Sequence, residues 1–379
     1  MNNDRIKVLA TLYMNRYHEL IEEKHDVRDK WAAVGACIRK WNPGAEDFGS
    51  MFRDAMSKAD FLLNHGEVNQ TEGICALCEH GRTEEVREAF LDLLEKDGGE
   101  INARQGRVRD FTNKINVMLE EEFPEKWEMR QRIRTVIKYL GLIRPEENYM
   151  LRASAAAAFA GYVDFDDEIG YDKTLKLANY YRMCDDTAEY LQTRSDLLDM
   201  VGRSMKEKGQ EAAEAFDFDT KLHILTYDLI DSAYRFDFYS APVANRKSKI
   251  STVAQRKIDR MKSAAQLIDE RENIVDQFDQ VATVEKMARI PEMQGQKVHH
   301  VSYGDGTVSE QDGRYLMVLF PIGMKKFALP GAVVKGYLTT GGNEKELMTK
   351  CSLMDEVQVR RKKLEDELTS IDVQLQMLA

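Results

Sequence analysis

The chain has 379 residues, of which 43% are hydrophobic and 31% are charged, and its formal net charge is −11. This length allows two or three domains with sizeable cores, and no apolar run is long enough to span a membrane. The acidic balance disfavours broad coating of nucleic acid, because such binding depends on neutralising phosphates with basic side chains. Five scattered cysteines and the absence of signal-peptide features at the N-terminus predict a soluble protein of the reducing cytoplasm.

The first hundred residues have apolar side chains at helical spacing. Trp31, Val34, Ile38 and Trp41 form one such stripe, which the turn signal Asn42-Pro43-Gly44 ends. We therefore predict an N-terminal helical domain over residues 1–100.

An ordered set of aromatic and aliphatic positions runs through the first 150 residues. Its members are Trp31, Ala33, Val34, Trp41, Phe48, Met51, Phe52, Ala55, Leu62, Leu63, Val86, Arg87, Phe90 and Leu93, followed by Ile137, Tyr139, Leu140, Pro145 and Tyr149. This order resembles the N-terminal helical region of McrB-like restriction proteins. In that family the region recognises DNA or a partner, and an AAA-type GTPase motor follows. The sequence has no Gly-x-x-x-x-Gly-Lys-Ser/Thr phosphate loop, so we expect no motor here.

Helical spacing continues from Asn102 to Ala241, which predicts a second helical domain over residues 101–248. The acidic run Val163–Glu168 lacks the alternating oxygen ligands and central glycine of a calcium loop, so a solvated loop or a helix start is expected. The basic segment Arg246-Lys247-Ser248-Lys249 is interpreted as a linker.

Two long helices are predicted on either side of residues 297–338. The first covers residues 249–294, and the second covers residues 341–379. Helical arms of roughly 40 and 35 residues within these ranges would span about 60 and 52 Å at 1.5 Å per residue. Their matched lengths favour an antiparallel helical hairpin, a coiled coil, although the same seams also suit pairing with a second copy of the chain as a homodimer. The apolar positions are Ile258, Met261, Ala265, Ile268 and Val275 on the first helix and Leu364, Leu368, Ile371, Leu375 and Leu378 on the second.

Between these helices the hydrophobic period changes from about 3.6 to 2, which is typical of strands. Gly304 and Gly306 supply a tight turn with φ > 0, and Asp312-Gly313 is a strong hairpin signal. We predict a strongly bent β-barrel of about five short strands over residues 295–340. The predicted fold class is therefore mainly α: a multi-helical body followed by a helical hairpin that carries a small barrel.

The barrel has a characteristic spacing of glycines, aromatic residues and aliphatic residues. Its members are Val298, His300, Tyr303, Gly304, Gly306 and Val308, with Val318, Phe320, Lys326, Phe327, Gly336, Tyr337 and Leu338 downstream. The pattern resembles the SH3-like or Tudor-like modules of bacterial DNA-handling proteins, such as the C-terminal barrels of UvrD-type helicases and the N-terminal barrels of CarD-like regulators. In those families the barrel docks on a protein, often RNA polymerase, and does no chemistry.

The candidates for chemistry are few. Cys75, Cys78 and His80 form half of a zinc site, but Cys37, His65 and His25 offer no second pair at ligand spacing. His299 and His300 point to opposite faces of one strand and are poorly placed to share a metal. There is no Gly-x-Ser-x-Gly nucleophile motif. We therefore expect no enzymatic activity, no metal and no cofactor.

The sequence leads to a docking hypothesis. We expect a non-catalytic adaptor of a bacterial DNA-processing, restriction-like or anti-phage defence system, which binds a protein partner through its barrel and helical body. One alternative is direct reading of DNA through the barrel and the nearby basic segment, and another is a purely structural coiled-coil protein. The expected partner-binding residues are Tyr303, Arg314, Lys325, Lys326 and Phe327, and the expected structural turn residues are Gly304, Gly306 and Gly313.

Overall fold

The computed structural model describes residues 1–24, 26–95, 100–240, 252–312, 315–340 and 344–378. Contacts divide the chain into two compact units. The first unit contains Met1–Glu272 and Gln374–Ala379, and the second contains Asn273–Val373. The chain is mainly helical and carries one five-stranded antiparallel sheet, within the second unit. The predicted mainly α class with a small sheet near the C-terminus is confirmed.

The first unit is built from helices joined by short connections. The α-helices are α1 (Asn3–Asn15), α2 (Tyr17–Ile21), α3 (Asp29–Lys40), α4 (Phe48–Met56), α5 (Asp60–Leu63), α6 (Gln70–Leu77), α7 (Thr83–Leu93), α8 (Ile101–Glu122), α9 (Ile133–Ile143), α10 (Ala153–Tyr162), α11 (Leu177–Gln192), α12 (Ser195–Lys208), α13 (Gln210–Phe218) and α14 (His223–Arg235). A long helix, α15 (Thr252–Met287), begins in this unit.

One hydrophobic core runs through both predicted helical domains of the first unit. The ring of Phe90 on α7 lies 5.4 Å from that of Phe52 on α4, 4.8 Å from that of Phe111 on α8 and 5.8 Å from that of Tyr139 on α9. The core cluster extends from Ile6 to Ala265. Helical spacing shows which face of each helix is apolar, but it does not show which faces meet.

Helix α14 lies inside the first unit, and its start is capped by a side chain. Every residue from His223 to Ala233 is buried. The first N–H groups of a helix have no partner within the helix. Here the Asp219 carboxylate accepts hydrogen bonds from the backbone N–H groups of His223, Ile224 and Leu225, at 2.7, 3.0 and 3.2 Å. This cap allows a helix terminus to be buried without orphaned donors.

The second unit contains the sheet. Its strands are β1 (Lys297–His300), β2 (Gly304–Gln311), β3 (Tyr315–Phe320), β4 (Gly323–Ala328) and β5 (Leu338–Thr340), in the spatial order β4-β3-β2-β1-β5. The predicted number of short strands agrees with this sheet. Closure into a barrel would require the two edge strands to pair, and among the described residues β4 and β5 do not, so the sheet is open. Alternation in sequence identifies strands, but it does not specify edge pairing.

The two glycines predicted at the turn before β2 have different roles. Gly304 has φ +73°, as a tight turn requires. Gly306 lies inside β2, opposite Val298, rather than in the turn. A Cβ at Gly306 would lie 2.6 Å from Cδ1 of Phe320 and 2.8 Å from Cγ1 of Val318, so its glycine is required by close packing. Gly313 lies outside the described residues.

The sheet is followed by a short helix, α16 (Gly331–Val334), and by a long one, α17 (Glu344–Leu378). Within the second unit, Arg360 on α17 donates to the Gln280 side chain on α15 at 2.8 Å, and Arg361 pairs with Glu285 at 2.7 Å. These portions of the two helices therefore lie side by side. Of the predicted seam on α17, Leu364, Ile371 and Leu375 are buried and Leu368 is half-buried.

Candidate docking surface on the sheet

The second unit exposes apolar side chains on one face of strands β3 and β4. Side chains alternate between the two faces of a strand, so Tyr315, Met317 and Leu319 share a face. In the antiparallel register Leu319 pairs with Met324, and Met317 pairs with Lys326, which places these five residues together. We call this set the outer face. Leu319 and Met324 are 53% and 49% exposed, which is high for adjacent apolar side chains.

The opposite face of β3 forms the core of the second unit. Leu316, Val318 and Phe320 are buried there, together with Val298 of β1 and Val308 of β2. The outer face therefore does not contribute to this core. Its apolar residues are not explained by the packing of the described part of the second unit.

The outer face borders an open strand edge. The pair Phe320–Gly323 encloses the two-residue turn Pro321-Ile322 and is joined by backbone hydrogen bonds. Along an antiparallel hairpin, hydrogen-bonded pairs alternate with pairs that are not hydrogen-bonded, so every second pair counted from Phe320–Gly323 is hydrogen-bonded. Met324, Lys326 and Ala328 consequently direct their backbone N–H and C=O groups away from β3. Within the described residues β4 is an edge strand, so these groups are open to an added strand.

Three of the predicted partner-binding residues meet at the other face of β4. The Tyr303 ring stacks on His300 with centroids 4.4 Å apart, and the Phe327 ring lies 5.2 Å from His300. Lys325 Nζ is 5.4 Å from the centre of the Tyr303 ring. Tyr303 and Phe327 are half-buried and also contact Phe320. This cluster is thus partly engaged in packing at the rim of the core.

The structure separates Lys326 from that cluster. Lys326 alternates to the outer face, where its Nζ lies 3.8 Å from the centre of the Tyr315 ring, within the range of a cation–π contact. Arg314 lies outside the described residues. Sequence reasoning did not select Leu319 and Met324, although one signal was present: β3 is apolar on both faces, and a single small sheet buries only one of them.

The cysteine and histidine candidates are placed as follows. Cys75 is buried, where desolvation raises the pKa of its thiol to about 12, and His80 is exposed and lies 3.8 Å from Glu122. His300 is buried, whereas His299 faces outward and bonds Asp305 at 2.8 Å. Among the described residues no three His, Cys, Asp or Glu side chains are grouped as a metal site. His25 lies outside the described residues.

Comparison with known proteins found no matching family model, no similar curated protein and no similar solved structure. Within the ranges that the structure describes, no helix combines the length and apolar character needed to cross a membrane.

Proposed function

We propose that the protein is a non-catalytic docking protein that holds a partner protein on the outer face and on the open edge of β4. The observation that carries this proposal is an apolar set beside a strand edge that has no partner strand among the described residues: Tyr315, Leu319 and Met324 are exposed and Met317 is half-buried. Interfaces concentrate their binding energy in a few aromatic and apolar anchors surrounded by polar groups. Tyr315 with Lys326 above it, on the same face of the sheet as Leu319, has this composition.

The proposed setting is a bacterial DNA-processing, restriction-like or anti-phage defence complex. Its support is the resemblance of the helical residues to McrB-like proteins and of the sheet sequence to SH3-like and Tudor-like modules. The order of five short strands, with the short helix α16 between β4 and β5, is compatible with such a module. In this proposal α15 and α17 act as a coiled-coil hairpin that presents the module, supported by the bonds from Arg360 and Arg361 to α15.

The test uses the full chain and a matched control. In a pull-down from the native host, the unaltered chain should retain a specific partner protein. Leu319→Ser combined with Met324→Ser should abolish recovery of that protein. Once that protein is purified, the double substitution should weaken its binding by about 2 kcal/mol or more. The control is Leu91→Ser with Val117→Ser, two exposed apolar residues of the first unit, which should bind normally. Equal binding by both double variants would overturn the proposal.

A second candidate function is direct nucleic-acid binding by β4. Lys325 and Lys326 each lie over a tyrosine ring, an arrangement that can accompany contacts to phosphates and bases. A salt titration of binding to duplex DNA separates the two functions. If the protein binds DNA directly, the logarithm of its affinity should fall steeply with the logarithm of the salt concentration, and Lys326→Gln should make that slope shallower. If it docks on a protein instead, it should show almost no binding to duplex DNA.

A further inference from the structure

Each face of the edge strand β4 carries one lysine beside a tyrosine ring. Lys326 lies on the outer face, and its Nζ is 3.8 Å from the centre of the Tyr315 ring. Lys325 lies on the opposite face, and its Nζ is 5.4 Å from the centre of the Tyr303 ring. Neighbouring residues of a strand point to opposite faces. The edge of β4 therefore presents one cation on each face, at adjacent positions.

Neither lysine has a carboxylate partner in the described part of the chain. Contact with the face of an aromatic ring leaves the positive charge of an ammonium group in place. On the outer face, Glu310 is separated from Lys326 by Met317, which is paired with both across the sheet. The edge of β4 is thus locally positive in a chain whose net charge is −11.

The two charges disfavour pairing of β4 with a second copy of itself. In the two-fold registers that overlap β4 most fully, Lys325 or Lys326 would lie directly opposite the same residue of the other copy. Like charges directly opposite each other destabilise an antiparallel pair. Lysines on an edge strand commonly protect a sheet from such self-association. An occupant of this edge should therefore bring the opposite charge.

The order of residues along β4 specifies the composition of a complementary strand. Met324, Lys325, Lys326 and Phe327 follow one another, so two cations lie between two apolar residues. Directly opposed residues of paired strands share a face, where apolar pairs and pairs of opposite charge are favourable. A complementary strand therefore has two adjacent acidic residues between two apolar ones. Its apolar residue opposite Met324 would continue the apolar row that Leu319 and Met324 form on the outer face.

We propose that the partner adds to the edge of β4 an extended antiparallel segment with the pattern apolar-acidic-acidic-apolar. Its backbone pairs with the outward-directed groups of Met324 and Lys326. One acidic side chain binds Lys326 on the outer face, and the other binds Lys325 on the opposite face. In strand addition, backbone hydrogen bonds supply affinity and alternate side chains supply specificity. This inference rests on the proposed docking function and names the chemistry of the partner.

The charge pattern is tested by fluorescence polarisation with labelled peptides and the full chain. The peptide Thr-Thr-Val-Glu-Glu-Val-Thr-Thr should bind at least about tenfold more tightly than the same peptide with Lys-Lys at its centre. Lys325→Glu combined with Lys326→Glu should reverse this order. The control, Lys297→Glu with Lys335→Glu, makes the same change of charge at exposed lysines outside β4 and should keep the preference for the acidic peptide.

Backbone pairing is tested by N-methylation of the acidic peptide. An antiparallel strand in the proposed register places its first glutamate opposite Lys326, so the N–H of that glutamate faces β4 and the N–H of the second glutamate faces away. A methyl group on the first glutamate nitrogen should abolish binding, whereas one on the second should be tolerated. Equal effects of the two methyl groups would overturn strand addition.

The inference and the proposed function fail in different ways. If the acidic peptide does not bind, or if the charge reversal leaves its preference unchanged, the inference is overturned, while docking stands if partner recovery still depends on Leu319 and Met324. If recovery does not depend on these two residues, the proposed function itself fails. Concentration-dependent dimerisation of the unaltered chain that blocks the acidic peptide would assign the edge to a second copy and would also overturn the inference.

Discussion

The two units differ in what their cores contain. In the first unit the buried Lys30 ammonium binds Asp228 at 2.6 Å and Asp231 at 2.7 Å, and Tyr13 donates to Asp228 at 2.5 Å. Around the sheet of the second unit the core consists of apolar residues such as Val318 and Phe320, and the buried Asp276 of that unit lies on α15 instead. Charges buried in pairs are costly to separate, whereas an apolar core responds chiefly to changes in volume. The two units should therefore fail under different kinds of substitution.

The difference also bears on where binding sites occur. In the first unit, Asp231 links the buried Lys30 to Arg152 and Arg235 near the surface. Substitutions of these residues would disturb the buried charges and therefore the folding of the first unit. In the second unit the outer face lies opposite the core, so binding there can be altered with little cost to stability.

The largest expected effect is on the buried charges. Lys30→Met leaves Asp228 and Asp231 without their shared cation and should destabilise the first unit by about 3–5 kcal/mol. Chemical denaturation followed by far-UV circular dichroism measures this loss. As a control, Arg39→Gln removes an ion pair with Glu214 at the surface and should leave the midpoint nearly unchanged. Similar midpoints for both variants would show that the buried cluster is not what stabilises this core.

The second effect concerns the close packing of the core in the second unit. Gly306→Ala forces a methyl group against Phe320 and Val318 and should destabilise the second unit by about 2–3 kcal/mol. Gly304→Ala, where a Cβ meets open space at φ +73°, should cost about 1 kcal/mol. Trp31, Trp41 and Trp127 all lie in the first unit, so tryptophan fluorescence would report on that unit. Hydrogen exchange of the strand amides is therefore the suitable measurement for the second unit. An equal loss of protection in both variants would contradict the packing role of Gly306.

A third effect concerns the buried helix cap. Asp219→Ala removes the acceptor of three backbone N–H groups at the start of α14 and should cost about 2 kcal/mol of unfolding free energy. Asp47→Ala removes one such bond, to Ser50 at the exposed start of α4, and should cost less. Thermal denaturation of the two variants side by side gives the comparison. A larger loss from Asp47→Ala would mean that α14 is held by packing alone.

A smaller effect is the pH dependence of the first unit. The pKa of Asp231 is about 2 in the folded chain, below its ordinary value of about 3.9. Its contribution to stability is therefore present above about pH 4 and is lost as the pH falls toward 2. In Lys30→Met the buried carboxylates prefer the neutral form, so acidification from pH 7 to 5 should recover about 1 kcal/mol or more. Failure of Lys30→Met to gain stability between pH 7 and pH 5 would contradict this assignment.

The smallest expected effect on stability is at the outer face. Leu319→Ser with Met324→Ser should change the unfolding free energy by no more than about 0.5 kcal/mol per site, because these side chains are half exposed. Denaturation monitored by exchange of the strand amides measures it. A large loss would show that the outer face is part of the structural core, and a binding defect could then not be attributed to docking.

The types of secondary structure in both units follow from local patterns in the sequence. A change of hydrophobic period from about 3.6 to 2 is a local property, so it located the five strands and the long helices on either side. The φ > 0 requirement at Gly304 is equally local. The close approach that requires Gly306 is not, because it depends on Phe320 from another strand.

Which side chains meet becomes visible only in the folded chain. Lys30 precedes Trp31 on α3, and nothing in the sequence indicates that the lysine is buried. Its partner Asp228 lies 198 positions away in the chain. Likewise β3 is apolar on both faces, and only packing shows that Leu316 is buried while Leu319 is exposed. Periodicity in the sequence reflects the conformation of neighbouring residues, whereas burial and charge pairing depend on residues that are distant in the chain. The buried charges around Lys30 and the outer face are therefore recognised only in the folded chain.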